Sequence, residues 1–400
     1  MRRNDNRAPR GYTPPHMARR VLLLGSTGSV GRQSLEVLAG LGQSHRVVGL
    51  SAARSAALLS RQAHAFGATA VCLADAGRRA ELDLPSGCRL HTGAEGLIEL
   101  VESTRPDLVI CAISGAAGLP STLAAARCGA TLALANKESM VLAGHLVKAA
   151  LAASGGRIVP VDSEHSAIAQ CLEGQSRAAV RRLVLTASGG PFRGRRREQL
   201  ADVTPAQALR HPSWDMGPRI TVDSATLMNK ALEIIEACQL FDVSPEQVEV
   251  VVHPQSVVHS MVEFVDGAVL AQLSPPDMRL PIRYALGYPG RLSDGAQPVD
   301  FAALSGLTFE QPDREAFPCL ALGERAARAG GLAGTIMNAA DEVAVEAFLA
   351  GRLSFLSIVD VVADALERFD ARRAPELDEI LDTDRRVREH AAARLPQTAA

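Results

Sequence analysis

Two acidic residues that follow an apolar segment are the side chains in this chain whose type and spacing best suit chemistry. Asp162 and Glu164 come directly after Arg157-Ile-Val-Pro-Val, which reads as a buried strand. Residues two apart on an extended backbone project from the same face, so both carboxylates would point the same way. Such a pair repels itself unless a cation or a proton lies between the two groups. Hard oxygen donors suit Mg²⁺ or Mn²⁺ better than Zn²⁺, so the pair predicts a divalent-metal site, with a solvated acidic turn as the alternative.

A third carboxylate lies on a predicted helix, Ala225–Leu240. Asn229, Lys230 and Glu233 stand three and four residues apart there, so they occupy neighbouring faces. Glu233 could complete the metal site, and a Lys230–Glu233 ion pair on the helix surface is the alternative. Ser224 reads as the N-cap of this helix, a position that also attracts phosphate.

Three further segments offer groups for an anionic ligand. Lys137 falls at the carboxyl end of a predicted strand, where open α/β sheets bind their ligands, although it could also be a solvated residue at a helix start. Ser188 precedes two glycines, and its hydroxyl with their flexible N–H groups would form an anion nest. Trp214, the only tryptophan, lies with His211 in a loop flanked by proline and glycine, as in a lid that closes over a ligand.

A glycine-rich turn lies between the first predicted strand and the first predicted helix. Gly25, Gly28 and Gly31 follow the spacing G-x-x-G-x-x-G, in which small residues let the backbone approach a pyrophosphate at a helix N-terminus. After the second strand the chain has Arg54 between small residues and no acidic residue, which favours NADPH over NADH. A tight turn without a ligand is the alternative.

The elements that would position these residues alternate between strand and helix in the first part of the chain. This alternation predicts an α/β fold with a doubly wound parallel sheet. The predicted strands are Val21–Leu24, Val47–Leu50, Ala70–Leu73, Leu108–Ile110, Thr131–Ala135 and Ile158–Val161.

The pattern changes twice further along the chain. A hairpin is predicted from Val257–Val265 and Ala268–Leu273, joined at Asp266-Gly267. Four helices follow near the C-terminus, which indicates a small bundle. We therefore expect a disordered basic tail (1–18), a Rossmann-type NADPH-binding domain (19–162), a central α+β catalytic domain for metal and substrate (163–294), a linker (295–313) and a C-terminal helical bundle (314–400).

Composition narrows the class of protein. A net charge of −2 over 400 residues gives no sign of a partner that is a nucleic acid or a membrane surface. The seven cysteines are scattered without a C-x-x-C pair, which predicts free thiols in a reducing compartment such as the cytoplasm. No apolar run approaches the ~18 residues of a membrane span. The expected partner is a small molecule.

Short motifs found in order along the chain together resemble one family. They are Gly25-Ser-Thr-Gly-Ser-Val-Gly31, Ala135-Asn-Lys-Glu-Ser139, Pro160-Val-Asp-Ser-Glu-His165, Ser188-Gly-Gly-Pro-Phe192, His211-Pro-Ser-Trp-Asp-Met-Gly217, Val222-Asp-Ser-Ala-Thr226, Asn229-Lys-Ala-Leu-Glu233 and His253-Pro-Gln-Ser256. The chain resembles the 1-deoxy-D-xylulose 5-phosphate reductoisomerase family. That family makes 2-C-methyl-D-erythritol 4-phosphate in the non-mevalonate route to isoprenoids.

The resemblance implies a role for each matching position. It implies that the divalent metal (Mg²⁺, Mn²⁺ or Co²⁺) is bound by Asp162, Glu164 and Glu233. It implies catalytic roles for Lys137, Glu164, His211 and Glu233. It implies that the substrate is contacted by Lys137, Ser163, Glu164, Ser188, His211, Trp214, Ser224, Asn229, Lys230 and Glu233, of which Ser188, Ser224, Asn229 and Lys230 hold the phosphate. It implies an NADPH site at Thr27, Gly28, Ser29, Val30, Ala53, Arg54, Ser55, Asn136, Glu138 and Gly217.

The resemblance also implies a homodimer and a reaction. The substrate's carbon skeleton rearranges by retro-aldol cleavage and re-addition, and NADPH then reduces the resulting aldehyde. Ala53-Arg54-Ser55 stands where the family often has Gly-Lys-Asn, which keeps the positive charge. Asp215 and Pro218 in the flap also differ from another member of the family, so the resemblance does not extend to the motion of the flap.

Two other functions are compatible with parts of the sequence. An NADP-dependent dehydrogenase of a phosphorylated or acidic metabolite would use the glycine turn but would not need three converging carboxylates. A non-enzymatic NADPH sensor would have no reason to keep Asp162, Glu164, Lys230 and Glu233 together.

Overall fold

A computed structural model describes residues 18–293, 295, 297–371 and 374–396. The predicted basic tail, 1–18, lies outside the described residues except for Ala18. The chain divides into two compact units. Among the described residues, the first unit contains those up to Ala135, Val147–Val161 and Ile282–Leu292, and the second contains Asn136–Leu146, Asp162–Pro281 and those from Ser293 onward.

The first unit contains a parallel sheet of seven strands in the described residues, in the order β4-β3-β2-β1-β5-β6-β7. The strands are β1 (Arg19–Leu24), β2 (His45–Ala52), β3 (Ala70–Leu73), β4 (Arg89–Thr92), β5 (Leu108–Cys111), β6 (Thr131–Leu134) and β7 (Arg157–Pro160). The predicted doubly wound α/β fold is therefore confirmed. The sequence patterns missed β4 because it is a half-exposed edge strand that carries Arg89 and His91 rather than an apolar run.

Burial explains why the central strands read as continuous apolar runs. Val21–Leu24 of β1 are at most 1% exposed, as expected for a parallel strand buried on both faces. The strand order reverses between β1 and β5, and ligands of such sheets bind at the carboxyl ends of the strands on either side of that point. The connecting helices are α1 (Ser29–Gly40), α2 (Ala56–Phe66), α3 (Gly93–Thr104), α4 (Leu119–Arg127) and α5 (Lys137–Ser154).

The second unit begins differently from the sequence expectation. Helix α6 (Ser163–Cys171) starts directly after Asp162, so Asp162 is its N-cap and Glu164 lies in its first turn. The extended backbone assumed for the acidic pair is thus wrong. Aspartate favours the N-cap, and an acid in the first turn interacts well with the helix dipole, so both residues favour a helix start.

The sheet of the second unit has the strand order β11-β10-β8-β9, with β8 (Val180–Ala187), β9 (Val248–Val252), β10 (Val258–Phe264) and β11 (Val269–Leu273). Strands β10 and β11 are antiparallel, which confirms the predicted hairpin. Gly267 has a φ of 87°, the left-handed conformation that this Asp-Gly turn requires.

Two helices replace the single predicted helix Ala225–Leu240. After α7 (Pro205–Ala208), α8 (Pro218–Thr226) ends where Leu227 takes a φ of 60°, and α9 (Met228–Phe241) begins. The Met228 amide donates to Thr226 Oγ1 at 3.3 Å, so threonine satisfies one of the free N–H groups of α9. The expectation that Ser224 is an N-cap is therefore wrong, because Ser224 lies in the last turn of α8.

The C-terminal helices confirm the predicted bundle. After α10 (Arg279–Gly287), the helices are α11 (Cys319–Ala329), α12 (Ala333–Leu349), α13 (Ser357–Arg368) and α14 (Leu377–Arg394). Helix α11 packs closely on α9, since a Cβ on Gly323 would lie 2.4 Å from Ala231 Cα. Among the described residues, none of the helices has the length and apolar composition needed to traverse a bilayer.

Candidate active site

Three carboxylates and two lysines meet in the second unit; we call this group the lysine–carboxylate cluster. It contains Asp162 at the N-cap of α6, Glu164 in the first turn of α6, Lys137 at the start of α5, and Lys230 and Glu233 on α9. Lys137 Nζ lies 2.5 Å from Asp162 Oδ2 and 3.1 Å from Glu233 Oε1. Lys230 Nζ donates to Glu233 Oε2 at 2.5 Å and also to the Glu164 carboxylate. The helix spacing of Lys230 and Glu233 thus does produce the ion pair that the sequence offered as the alternative to a metal ligand, but the pair lies inside the protein and not on the helix surface.

The electrostatics of the cluster follow from burial and from these pairs. Burial alone would raise the pKa of Asp162, but the adjacent Lys137 ammonium holds it well below its usual value. Burial also opposes ionisation of Glu164, and Lys230 reverses the effect so that its pKa is lowered. The pKa of Glu233 is raised, first by burial and then by the negative charge of Glu164. Although burial disfavours a charged lysine, the carboxylates raise the pKa of Lys137 and of Lys230, so both are ammonium ions at neutral pH.

The carboxylates of the cluster fit a divalent cation. One oxygen from each of Asp162, Glu164 and Glu233 lies within 4.8 Å of the others. Asp162 Oδ2 is buried and accepts no well-aligned hydrogen bond, although Lys137 Nζ is near it. An all-oxygen donor set of this kind suits Mg²⁺ or Mn²⁺. The structure thus brings together the three residues predicted as metal ligands, and their role as ligands stays a prediction.

A buried histidine and a fourth carboxylate support Asp162, and sequence reasoning assigned neither of them a role. His165 and Glu236 are completely buried, and His165 Nδ1 lies 3.7 Å from Asp162 Oδ2 and 3.3 Å from Glu236 Oε2. Its other ring nitrogen lies 3.1 Å from the Glu233 carbonyl oxygen. Burial disfavours the imidazolium, but Glu236 and Asp162 raise the pKa of His165 to about 9. The spacing of Glu236 three residues after Glu233 was the one signal that could have identified it.

A second polar group in the same unit consists of Ser188, His211 and Ser224. His211 Nε2 lies 2.9 Å from Ser188 Oγ and 3.1 Å from Ser224 Oγ. Its Nδ1 accepts hydrogen bonds from the backbone N–H groups of Ser213 and Trp214, so the proton of the neutral ring lies on Nε2. Burial, with a contribution from the Lys230 charge, lowers the pKa of His211 to about 4. Two hydroxyls and an imidazole N–H suit an anion such as a phosphate, so we call these residues the anion cradle.

The remaining substrate residues divide between two places. Asn229 bonds within the lysine–carboxylate cluster, accepting from Lys137 Nζ at 2.7 Å and donating to Glu233 Oε1 at 2.5 Å, and its role as a phosphate ligand stays a prediction. Ser163 and Trp214 line one pocket, and the Trp214 ring lies 5.9 Å from that of His259. Ser163 also donates to the Glu164 carboxylate. The loop tryptophan thus lines a pocket that reaches the start of α6.

In the first unit, the glycine turn shows which glycine leaves room for a ligand. A Cβ on Gly31 would lie 2.2 Å from the Gly25 carbonyl oxygen, and one on Gly25 would lie 2.5 Å from the Ala112 carbonyl oxygen. At Gly28 the nearest atom would be 3.4 Å away, and its φ of −73° is open to any residue. Gly25 and Gly31 are therefore needed for packing. Packing does not require a glycine at Gly28, which lies beside Thr27, Ser29 and Val30, so the role of these four residues in approaching a cofactor stays a prediction.

The other predicted cofactor residues lie at ends of elements. In the first unit, Arg54 follows β2 with its side chain 82% exposed and 3.9 Å from Asp75, so it is available to a phosphate; Ala53 and Ser55 flank it. In the second unit, Asn136 lies just before α5 and Glu138 lies in its first turn. The Asn136 Nδ2 group donates to Glu138 Oε2 at 2.8 Å. Gly217 is the N-cap of α8. These positions are compatible with the predicted NADPH contacts, which stay a prediction.

The chain is similar to known proteins over nearly its whole length. Family models match residues 21–144 (1-deoxy-D-xylulose 5-phosphate reductoisomerase), 158–241 (its C-terminal domain) and 273–390 (DXP reductoisomerase C-terminal domain). A 1-deoxy-D-xylulose 5-phosphate reductoisomerase of Caldanaerobacter subterraneus is 47% identical over 374 residues, which are 93% of this chain and 98% of that protein.

Solved structures match equally well. The 1-deoxy-D-xylulose 5-phosphate reductoisomerase from Zymomonas mobilis in complex with NADPH has a TM-score of 0.88 and 42% identity, covering 94% of this chain and 99% of its own. A DOX-P reductoisomerase in complex with NADPH, fosmidomycin and magnesium also has a TM-score of 0.88, with 40% identity, covering 94% of this chain and 98% of its own.

Proposed function

The chain belongs to the 1-deoxy-D-xylulose 5-phosphate reductoisomerase family, and on this premise we propose that the lysine–carboxylate cluster and the anion cradle form its active site. The protein is an NADPH- and divalent-metal-dependent oxidoreductase. It rearranges and reduces 1-deoxy-D-xylulose 5-phosphate to 2-C-methyl-D-erythritol 4-phosphate, a step of non-mevalonate isoprenoid synthesis. Its substrate is accordingly a small phosphorylated molecule.

The observation that carries the assignment of the site is the approach of three carboxylate oxygens to within 4.8 Å beside two buried lysines. Asp162, Glu164 and Glu233 would hold the metal. When bound, the metal supplies Lewis-acid polarisation of the substrate oxygens and NADPH supplies the hydride. A dehydrogenase without rearrangement, or a cofactor sensor, would not require this convergence of carboxylates.

The chain's own groups account for the rest of the chemistry. Lys137 Nζ, held by Asn229 Oδ1 at 2.7 Å, would stabilise negative charge that develops on a substrate oxygen. The anion cradle, Ser188, His211 and Ser224, would bind the phosphate at a distance from the reacting carbons and orient the substrate. Trp214 in the flap would exclude water from the pocket that contains Ser163.

For the cofactor, we propose that NADPH contacts Thr27, Gly28, Ser29, Val30, Ala53, Arg54, Ser55, Asn136, Glu138 and Gly217. Two observations support this assignment: packing does not require a glycine at Gly28, where a Cβ would lie 3.4 Å from the nearest atom, and the guanidinium of Arg54 is exposed. We also propose that residues 19–162 act as the cofactor domain, 163–294 as the catalytic domain and 314–400 as a helical scaffold.

We further propose that the protein works as a homodimer in the cytoplasm. Its seven free cysteines suit a reducing compartment. Strand β11 lies at an edge of its sheet with Val269 and Leu270 exposed by 51% and 42%, which suits pairing with a second copy.

Oxidation of NADPH, followed at 340 nm with purified protein and 1-deoxy-D-xylulose 5-phosphate, tests the proposed site's metal dependence. We expect turnover with Mg²⁺ or Mn²⁺ and its loss after treatment with a chelator. A dehydrogenase without rearrangement would oxidise NADPH with the aldehyde alone and with no turnover of the ketose. NADPH binding without any turnover would indicate a sensor and would contradict the proposal.

A further inference from the structure

Arg219, in the first turn of α8, is the centre of a second ionic cluster in the same unit as the lysine–carboxylate cluster. Its Nη1 donates to Glu138 Oε1 at 3.0 Å and to Glu342 Oε1 at 2.9 Å. Its Nη2 donates to Asn338 Oδ1 at 2.8 Å. One guanidinium therefore joins three helices: its own α8, the start of α5 and the C-terminal helix α12.

The cluster is only partly exposed, with the Arg219 side chain 22% accessible, and it extends further into the bundle. Asp341, whose side chain is completely buried, lies 3.5 Å from Arg219 Nη2. Arg388 on α14 donates to Glu342 Oε2 at 2.7 Å and so fixes the carboxylate that Arg219 also uses. Burial opposes the charge on Arg219, but Asp223 and Glu138 raise its pKa further above the usual value, so the guanidinium is permanently charged.

Arg219 is not itself a proposed ligand contact, but it is connected to residues that are. Glu138 accepts from Arg219 with one carboxylate oxygen and from Asn136 Nδ2 with the other, at 2.8 Å. Gly217, the N-cap of α8, lies two residues before Arg219. Ser224 of the anion cradle lies in the last turn of the same helix. Arg219 is thus connected to two proposed cofactor contacts and one proposed phosphate contact: it bonds directly to Glu138, and it shares α8 with Gly217 and Ser224.

We propose that Arg219 is a positioning residue that fixes α8 and Glu138 to helix α12, and thereby holds the NADPH and phosphate contacts in their binding geometry. The proposal rests on the proposed function and gives the C-terminal bundle a role in ligand binding. Arginine is required because the planar fork reaches Glu138, Glu342 and Asn338 together, which a lysine ammonium cannot do in this geometry.

The test uses three single variants of the full chain, R219K, R219Q and N338A, and the double variant R219Q/N338A, with R328Q as the control. Arg328 is an arginine of α11 with its side chain 55% exposed and paired with exposed Glu246. Calorimetric titration gives the Kd for NADPH, turnover with 1-deoxy-D-xylulose 5-phosphate gives KM and kcat, and thermal denaturation reports folding.

We expect R219K and R219Q to raise the Kd for NADPH and the KM for substrate by about tenfold or more, since small displacements of binding groups weaken ligand contacts strongly. At saturation, kcat should fall by less than about threefold, because ground-state and transition-state binding are lost together. Asn338 bonds to Arg219 and Glu342 and is not itself a proposed ligand contact, so N338A should also raise the Kd for NADPH. The double variant R219Q/N338A should bind NADPH no more weakly than R219Q does, since both changes break the same connection between α8 and α12.

Three results would overturn the proposal. One is wild-type Kd and KM in folded R219K and R219Q, even with a lower melting temperature, which would make the cluster purely structural. Another is weaker NADPH binding in R219Q together with wild-type binding in N338A, which would mean that the effect of Arg219 does not depend on the C-terminal bundle. A third is a loss confined to kcat. If R219Q does not fold, R219K and N338A carry the test, and if the wild type shows no turnover, the proposed function fails while NADPH titration still decides the role of Arg219.

Discussion

Glu233 is the carboxylate that both lysines of the lysine–carboxylate cluster share, and its side chain is completely buried. Replacement by glutamine keeps its shape and removes the charge needed for the metal. We expect E233Q to lower metal-dependent turnover by at least about 10–100-fold, because that is the usual loss even when only a residue that supports a metal ligand is replaced. The Kd for NADPH should stay near the wild-type value.

The measurement is kcat as a function of Mg²⁺ concentration, with calorimetric titration of NADPH alongside. Glu246→Gln, at a position 64% exposed, is the matched control and should behave like the wild type. Undiminished metal-dependent turnover in E233Q would remove Glu233 from the metal site.

His211 should make the protein less stable in acid. Its pKa is about 4 in the folded chain, against 6.5 for an ordinary histidine, because burial and the Lys230 charge disfavour the imidazolium. The unfolded state therefore binds the proton more tightly, and stability is lost as the pH falls from about 6.5 towards 4. Protonation at Nδ1 would also end its two hydrogen bonds from backbone N–H groups.

Urea denaturation of the wild type and of His211→Asn at pH 7 and pH 5 measures this effect. The wild type should lose more stability between the two pH values than the variant does. An equal loss in both proteins would mean that His211 is not buried in its neutral form.

At the scale of single residues, sequence reasoning succeeded where residue type alone determines the chemistry. Asp162, Glu164 and Glu233 converge as expected, although through a helix start rather than along a strand. His165 and Glu236 were missed because a buried polar pair is recognisable only when the partner across the fold is known. The same reason applies to Arg219, because its partners Glu138 and Glu342 lie 81 and 123 residues away along the chain.

At the scale of elements, the glycine turn between β1 and α1 yields a direct test of cofactor binding. Gly28→Ala fits sterically and should fold normally, but its methyl group would occupy the surface where a pyrophosphate approaches. We expect the Kd for NADPH to rise at least about tenfold, or about 1.4 kcal/mol. Gly31→Ala is the contrasting variant, since its Cβ would overlap the Gly25 carbonyl, and it should destabilise the fold by about 1–3 kcal/mol.

Calorimetric titration of NADPH and thermal denaturation distinguish the two variants. Normal NADPH binding by Gly28→Ala would show that the turn closes on itself without a ligand.

The packing of α8 on α12 contains a pH-dependent weakness at Asp341. Burial raises the pKa of this carboxyl to about 6 from an ordinary 3.8, so the folded state holds the proton more tightly than the unfolded state. Stability is therefore full at low pH and is lost as the pH rises from about 3.8 through 6. Asp341→Asn removes this penalty and leaves the Arg219 bonds to Glu138, Glu342 and Asn338 in place.

We expect Asp341→Asn to melt a few degrees above the wild type at pH 8, and the difference to shrink at pH 5. Asp360→Asn, at an exposed position of α13, serves as the control. A variant that melts below the wild type at pH 8 would mean that the ionised carboxylate is needed by Arg219.

Element prediction succeeded where periodicity is strong and failed where local geometry depends on a single backbone angle. The buried strands and the four C-terminal helices follow from apolar runs and from helical spacing. The break between α8 and α9 depends on the left-handed conformation of Leu227, which a leucine rarely adopts and no pattern signals. Ser224 was therefore assigned to the wrong end of a helix, although its proposed contact with phosphate is supported by the anion cradle.

At the scale of the whole molecule, the proposed homodimer depends on the free edge of β11. Edge strands that present apolar residues pair readily with another chain, and natural monomers protect such edges with charge, often lysine. Here Val269, Leu270 and Ala271 are exposed along β11 without a charged residue among them. A second copy related by a twofold axis could add its own β11 and bury this surface.

Leu270→Lys tests this interface, with Leu381→Lys on α14 as a control of nearly equal exposure (42% and 41%). Lysine at position 270 would have to be desolvated within a dimer, so we expect the dimer Kd to rise by at least about tenfold, or about 1.4 kcal/mol. Sedimentation equilibrium across a concentration series should show dimers for the wild type and Leu381→Lys, and monomers at low concentration for Leu270→Lys. Because the lysine–carboxylate cluster lies within one chain, the Leu270→Lys monomer should keep its metal dependence. A wild type that is monomeric throughout, or a Leu270→Lys variant as dimeric as the control, would refute pairing through β11.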